Sequence, residues 1–326
     1  MELRRGAVTV FVLVMCLCSM PEAQLQVGFY ESTCPQAEAV VAEELRRGLA
    51  SNIGLAAGLV RMHFHDCFVR GCDGSVLIDS TSTNKAEKDS PINNPSLRGF
   101  EVIDNAKTRL ESACKGIVSC ADVLAFAARD SVAMTGGMRY QVPGGRRDGR
   151  VSLDSEVLTN LPGPTFDVSQ LNQSFANKGL NMEEMVTLSG AHSIGRSHCS
   201  SFSSRLYSFN ATASEDPSLD ANYAAQLKQQ CPQSSNNSSL VVFMDPRSPY
   251  SMDASYYGNL LQNLGLFASD QVLASDSATA SQVMQNVAGG GIAWKRKFAA
   301  AMAKMGQIGV LTGSDGEIRT NCRVIN

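Results

Sequence analysis

The sequence predicts a mostly α-helical fold with long ordered loops pinned by disulfides. Apolar residues recur every three or four positions in several segments, which is the helical period. The two-residue alternation of a half-buried strand is scarce. The cysteines are spread along the chain instead of paired as Cys-x-x-Cys. That argues against zinc ribbons and thioredoxin-type redox sites, and it suits structural disulfides in an oxidising compartment.

At the start, Arg4 and Arg5 precede an apolar run from Ala7 to Met20. The run is short for a transmembrane helix and suits the core of a signal peptide, with Ala23 as the last residue removed. The expected division is a signal over 1–23 and a single domain over 24–326. Of ten cysteines, Cys16 and Cys18 fall in the leader, leaving Cys34, Cys67, Cys72, Cys114, Cys120, Cys199, Cys231 and Cys322. After Pro35, Val41, Leu45 and Leu49 repeat every four residues and predict a helix. A second helix is expected over 55–67. Asn181 followed by Glu184 resembles a capping box opening a short helix. Tyr257, Leu260, Leu261 and Leu264 form another stripe, and Trp294, Phe298, Met302 and Met305 a third; such stripes are read as core. Loops rich in Gly, Pro, Ser and Asn run over 142–145, 161–164 and 233–239. There is no internal repeat and no charge block.

Hydrophobic residues make up 44% and charged residues 18% of 326 positions, which suits a soluble globular chain and is too apolar for a disordered one. A net charge of −3 gives no electrostatic reason to expect nucleic acid. No later segment reads as a membrane span. Asn172, Asn210, Asn236 and Asn237 begin Asn-x-Ser/Thr sequons, candidate glycan sites on surface loops.

Two stretches carry chemistry. In Arg61–Ser75, Arg61 and His65 are four apart on a helix and share a face, with Phe64 beside them. A permanent cation next to an imidazole disfavours its charged form, so the histidine can act as a base. The arginine can stabilise negative charge developing on a bound oxygen species. His63 and His65 lie two apart and turn to different faces, which weakens a joint zinc site. Asp66, Gly71, Asp73 and Ser75 offer hard oxygen ligands suited to calcium, without the spacing of an EF-hand; a polar loop holding no ion stays open as a reading. In Leu188–Cys199, His192 sits among small residues that let a flat, bulky group approach; a haem iron held by a proximal histidine would fit, and a purely structural histidine stays open as a reading.

Together these residues resemble class III, the secreted plant haem peroxidases. The opening Gln24–Tyr30 with Thr33-Cys34-Pro35, the stretch Arg61–Asp73, Gly145-Arg146-Arg147-Asp148, Val186–His192 and the order of the eight cysteines all match that family's pattern. The resemblance implies a two-lobed helical fold with haem b between distal and proximal lobes. It makes His65 the distal base, Arg61 the group polarising the O–O bond, and Asn93 the hydrogen-bond partner of His65. His192 becomes the axial iron ligand and Asp270 the acceptor of its other N–H. It implies two calcium ions. The distal one would use Asp66, Val69, Gly71, Asp73 and Ser75, linked to the base through Glu87. The proximal one would use Ser193, Asp245, Ser248, Ser251 and Asp253. Pro162 marks the haem edge where aromatic donors dock. The implied bridges are Cys34–Cys114, Cys67–Cys72, Cys120–Cys322 and Cys199–Cys231.

The function so implied is reduction of hydrogen peroxide to water with one-electron oxidation of small phenolic donors. It would be carried out by a secreted monomer of the apoplast or cell wall, with no membrane or nucleic-acid partner. The chain ends four residues after Cys322, with no evident vacuolar extension. Tyr140 stands where the family usually has tryptophan, and Met62 where leucine is usual. The surroundings of Pro91 and Thr165 lack the aromatic residues some relatives place near the donor.

Overall fold

Helix α1 (Ala37–Ser51) buries Val41 and Leu45, and Leu49 packs at its margin. It belongs to the computed structural model of the chain, which describes residues 24–234 and 239–326. The expected leader with Cys16 and Cys18, and the sequons at Asn236 and Asn237, lie outside the described residues. Helices α2 (Leu55–Val69), α3 (Phe100–Ala113) and α4 (Cys120–Met134) follow. Then come α5 (Val157–Asn160), α6 (Val168–Ala176), α7 (Met182–Ser189), α8 (Ser203–Tyr207) and α9 (Ala221–Gln230). The last four are α10 (Ser255–Leu260), α11 (Ala268–Ser275), α12 (Ala280–Val287) and α13 (Ile292–Met305). Two short antiparallel strands, β1 (Arg196–His198) and β2 (Val241–Phe243), pair with Ser197 opposite Val242. No helix among the described residues is long and apolar enough to cross a membrane.

The apolar side chains gather in two main cores. One joins Val41 and Leu45 of α1, Ile103 and Leu110 of α3, and Leu124 and Phe126 of α4. The other joins Phe175, Met185, Tyr257, Leu273, Trp294 and Phe298 from α6, α7 and α10–α13. Helix α2 feeds both, sending Leu59 and Met62 into the first and Val60 and Phe68 into the second. Each such side chain contributes about 1.5–3 kcal/mol on burial. The position of α2 is therefore set by packing from two sides. This is the two-lobed helical arrangement the resemblance implies.

The Gly145–Asp148 segment fastens the lobes. The Asp148 carboxylate accepts from the N–H groups of Cys120 and Ala121 at the start of α4, at 3.1 and 2.8 Å. Those N–H groups have no partner within the helix. Arg146, fully buried, pairs with Asp122 at 2.7 Å and donates to the Gly306 carbonyl just past α13. Ser119 caps α4, and Asn181 and Glu184 form the capping box of α7.

Four bridges join Cys34–Cys114, Cys67–Cys72, Cys120–Cys322 and Cys199–Cys231. Cys120–Cys322 spans a sequence separation of 202, so it restricts the unfolded chain most, by about 5 kcal/mol in the chain-entropy picture.

Two local expectations differ from what the chain does. Leu261 is 47% exposed, because α10 ends at Leu260 and the stripe's period ends with it. Asn172 sits half-buried within α6, where the apolar positions Val168, Leu171 and Phe175 carry the helix past the sequon. Asn210 lies on an exposed loop as expected, its side chain accepting from Thr212 and Ala213 N–H groups.

Candidate active site

Helix α2 is buried on nearly every face. Its partly accessible residues, Ala57, Arg61 and Phe64, are spaced four and three apart and form a single stripe. His65 borders that stripe and is itself buried, with the Phe64 ring edge-on at 5.8 Å. Its Nδ1 lies 2.7 Å from Asn93 Oδ1. An amide oxygen only accepts, so Nδ1 carries the hydrogen and Nε2 keeps a bare lone pair. Asn93 is oriented in turn by donating to the Glu87 carbonyl at 2.7 Å. Burial first, and the Arg61 charge second, push the His65 imidazole well below its usual range; the Asn93 contact acts the other way. Arg61 donates to Ser96 Oγ at 2.8 Å and to the Ile92 carbonyl at 3.1 Å. Burial and the nearby Arg98 lower it to about 10, so it remains a cation at neutral pH.

His63 points elsewhere. Its ring lies against Cys67 Sγ, and burial with the Arg146 charge lowers it to about 3. His63, Cys67 and Cys72 bring their ligand atoms within 4.8 Å of one another. The two sulfurs are bonded to each other, so no thiolate is available and zinc has no site here.

Beyond α2, the loop 70–75 folds back on Asp66, whose oxygens accept from Gly74 N at 2.9 Å and Val76 N at 3.3 Å. Asp73 accepts from Ser75 N at 3.0 Å. Val69 is buried at the end of α2, and Gly71 takes a left-handed φ of 107°, closing the turn before Cys72. Glu87 joins this group. Its Oε2, like the Ser75 hydroxyl, is buried without a hydrogen-bond partner. Burial pushes Asp66, Asp73 and Glu87 upward, Glu87 to about 8. Three buried carboxylates beside an orphaned hydroxyl make a donor set fit for a hard divalent cation.

His192 follows α7 on a 3₁₀ turn, Gly190–Ser193. The turn is set by the second core: Trp294 donates to the Thr187 carbonyl at 3.0 Å, and Tyr257 to Val186 and Thr187. A Cβ at Gly190 would lie 2.6 Å from the Trp294 ring, so the indole requires glycine there. His192 is 39% exposed at its side chain and donates from Nδ1 to Asp270 Oδ1 at 2.7 Å. Asp270, buried, lies in the first turn of α11, and its Oδ2 accepts from Phe267 N at 3.0 Å. Each of the two imidazoles, His65 and His192, is thus held through Nδ1, with Nε2 left free of protein partners among the described residues.

Ser193 is buried with an unpartnered hydroxyl. Asp245, also buried, accepts from Arg247 N at 2.7 Å, Asn259 at 2.9 Å and the Ser255 hydroxyl. Ser248 donates to Asp253 at 3.1 Å, and the Ser251 N–H donates to the Ser248 carbonyl. Burial raises Asp253, but hydrogen bonds from Ser255, Ser248 and Ser251 outweigh it and hold the carboxyl low. Pro162 lies half-buried between α5 and α6. Two residues on, the Pro164 carbonyl accepts from Ser269 N, next to Asp270.

Ser96, Arg98, Arg196 and Tyr256 did not stand out in the sequence. Arg98 is close enough to depress Arg61, and Arg196 close enough to depress Arg98. Among the described residues neither has an acidic partner, and Arg98 Nε is buried and unpaired. The Ser96-x-Arg98 spacing after Asn93 was the only local signal.

The sequence model of the peroxidase family matches residues 41–289. "Peroxidase 5" of Vitis vinifera is 65% identical over 320 residues, covering 98% of this chain and 97% of its own. "Peroxidase 30" of Arabidopsis thaliana is 48% identical over 323 residues, covering 99% and 98%. "Peroxidase 1" of Zea mays is 48% identical over 319 residues, covering 96% and 86%. The chain belongs to the peroxidase family and, with these relatives, to its class III plant branch.

Proposed function

We propose that this peroxidase holds haem b between its lobes, that His65 and Arg61 activate hydrogen peroxide on one side, and that His192 Nε2 ligates the iron on the other. The observation that carries the reading is the pair of imidazoles each fixed through Nδ1, one by a neutral amide and one by a carboxylate. The amide keeps His65 a base; the carboxylate makes His192 a stronger electron donor. The stripe of Ala57, Arg61 and Phe64 offers the cofactor a flat face, and the unpaired cations Arg98 and Arg196 suit its two carboxylates. Bound there, haem supplies the redox chemistry of O–O cleavage and one-electron donor oxidation.

The protein's own steps are proton transfers and charge placement. His65 Nε2 takes a proton from the attacking peroxide oxygen and returns it to the departing oxygen, which leaves as water. Asn93 holds the tautomer that makes this possible. Arg61, anchored by Ser96 and Ile92, places positive charge against the polarising O–O bond. Two phenolic donors, docking in turn near Pro162, each give up one electron to the haem and one proton, so that the second peroxide oxygen also leaves as water. Calcium is proposed at Asp66, Asp73, Ser75 and the Val69 and Gly71 carbonyls, beside Glu87. A second ion is proposed at Ser193, Asp245, Ser248, Ser251 and Asp253. The remaining elements of the reading are secretion after loss of residues 1–23, a single domain from residue 24, a monomeric state and glycans at Asn210 and at one of Asn236 and Asn237.

Stopped-flow mixing of the holoenzyme with hydrogen peroxide, then with a panel of phenols, tests the reading. A Soret band that responds to peroxide and recovers with phenols is expected. A purified protein without that band, or one inert to peroxide, overturns it. The pH dependence is a separate check. A lowered His65 pKa means the free base persists below pH 6.5, so the peroxide rate constant should stay level through pH 6 and fall only in more acid solution. A half-fall near pH 6.5 would show an ordinary, solvated histidine.

A further inference from the structure

Asp270 uses its two oxygens unequally. Oδ2 accepts one hydrogen bond, from Phe267 N at 3.0 Å. Oδ1 accepts two, from His192 Nδ1 at 2.7 Å and from the Tyr256 hydroxyl at 2.9 Å. Among the described residues no lysine or arginine pairs with this carboxylate, which is 2% exposed. Its charge is therefore stabilised by hydrogen-bond donors alone, and two of them compete for one oxygen. Tyr256 is fully packed. Its ring meets the Tyr257 ring edge-on at 4.9 Å and the His192 ring at 6.2 Å. Tyr257 is itself pinned through its hydroxyl to the Val186 and Thr187 carbonyls. The Tyr256 hydroxyl is thus aimed at Asp270 by packing, with no freedom to turn away.

We propose that Tyr256 is a positioning residue that limits how strongly Asp270 draws the His192 Nδ1 proton, and so tunes the reduction potential of the iron that His192 holds. The inference rests on His192 being the axial ligand. A carboxylate oxygen that already accepts a hydroxyl bond is a weaker acceptor for the imidazole N–H. Without the hydroxyl, Asp270 pulls harder, the imidazole becomes more anionic and the ferric state gains over the ferrous. Tyr256 therefore works against Asp270 and sets an upper limit on electron donation. The sequence shows only adjacent tyrosines in an apolar stripe, where a ring is read as core filling; the hydrogen bond gives the ring a second role.

The test uses the haem-loaded enzyme and two readouts besides activity: the ferric/ferrous midpoint potential, and the iron–histidine stretch in the ferrous resonance Raman spectrum. Tyr256→Phe keeps the ring and removes the hydroxyl. Its midpoint should fall, with the one-electron equilibrium shifting several-fold and at most about tenfold, where tenfold corresponds to about 59 mV. The stretch should rise. A fluorinated tyrosine incorporated at 256, a stronger donor of nearly the same size, should move both readouts the opposite way. It carries the test if Tyr256→Phe does not load haem. Asp270→Asn should raise the midpoint and lower the stretch, and adding Tyr256→Phe to it should change nothing further. If Asp270→Asn moves both readouts while neither change at 256 does, the role of Tyr256 is refuted and the His192–Asp270 pair stands. If Asp270→Asn moves neither, the assignment of His192 falls as well.

Discussion

A His65→Leu enzyme is expected to keep its haem and to react with hydrogen peroxide about 10²–10⁴-fold more slowly, the usual contribution of a positioned acid–base group. Haem retention is expected because the proposed iron ligand, His192, belongs to the other lobe and is held by Asp270, itself fixed by Phe267 N, none of which this change touches. The loss is expected because leucine cannot accept the peroxide proton, and His63, turned against the Cys67 sulfur, has no route to replace it. Leucine is apolar and close to histidine in volume, so α2 should keep its packing. Stopped-flow measurement of the peroxide step decides the matter, and a near-normal rate constant would remove His65 from the mechanism. Asn93→Val should reproduce part of the loss. It leaves the imidazole in place but frees Nδ1, so the tautomer that exposes a lone pair at Nε2 is no longer enforced.

Stripping calcium is expected to give the largest stability effect. An ion present at 100- to 1,000-fold above its dissociation constant stabilises the native state by about 3–4 kcal/mol. With two proposed sites, and roughly 2 °C per kcal/mol for a domain of this size, the melting temperature should fall by roughly 12–16 °C. The physical cause is in the distal loop, where Asp66, Asp73 and Glu87 are buried together and their charge is offset only in part, by Arg319 and Arg70 near Asp73 and by Arg70 near Glu87. The pH dependence has a definite sign. In the stripped enzyme Glu87 holds its proton up to about pH 8, whereas the unfolded chain releases it near 4.5. The native state then binds more protons than the unfolded state across that window, so stripped enzyme loses stability as pH rises from 4.5 through 8. The loaded enzyme should not, and the gap between the two melting curves should widen with pH. Because Glu87 also supplies the carbonyl that orients Asn93, stripping should slow the peroxide step too. An unchanged melting curve under chelation would count against tightly held ions.

Helices were the most legible part of the sequence, and the reason is local. The stripes at Val41 and Leu45 and at Trp294, Phe298 and Met302 follow the 3.6-residue period, which the backbone imposes wherever one face is buried. Asn181 and Glu184 read correctly as a cap because both partners lie within one turn. Leu261 misled because periodicity does not report where a helix stops. The bridges were a different matter. Spacing alone left their pairing open, and only the resemblance to a known family selected one.

The sequence by itself determined which chemistry the chain carries. Arg61 and His65 sit four apart on one helix, His192 lies among small residues, and carboxylates crowd a short loop; each is a property of neighbouring residues. The tertiary structure alone decided what those groups can do. Asn93 reaches His65 across 28 residues, Asp270 reaches His192 across 78, and Tyr256 meets the same Asp270 oxygen. Such pairs depend on how α2 is clamped between two cores and on how Trp294 and Tyr257 seat the turn before His192. That is long-range packing, and no local pattern in the chain records it.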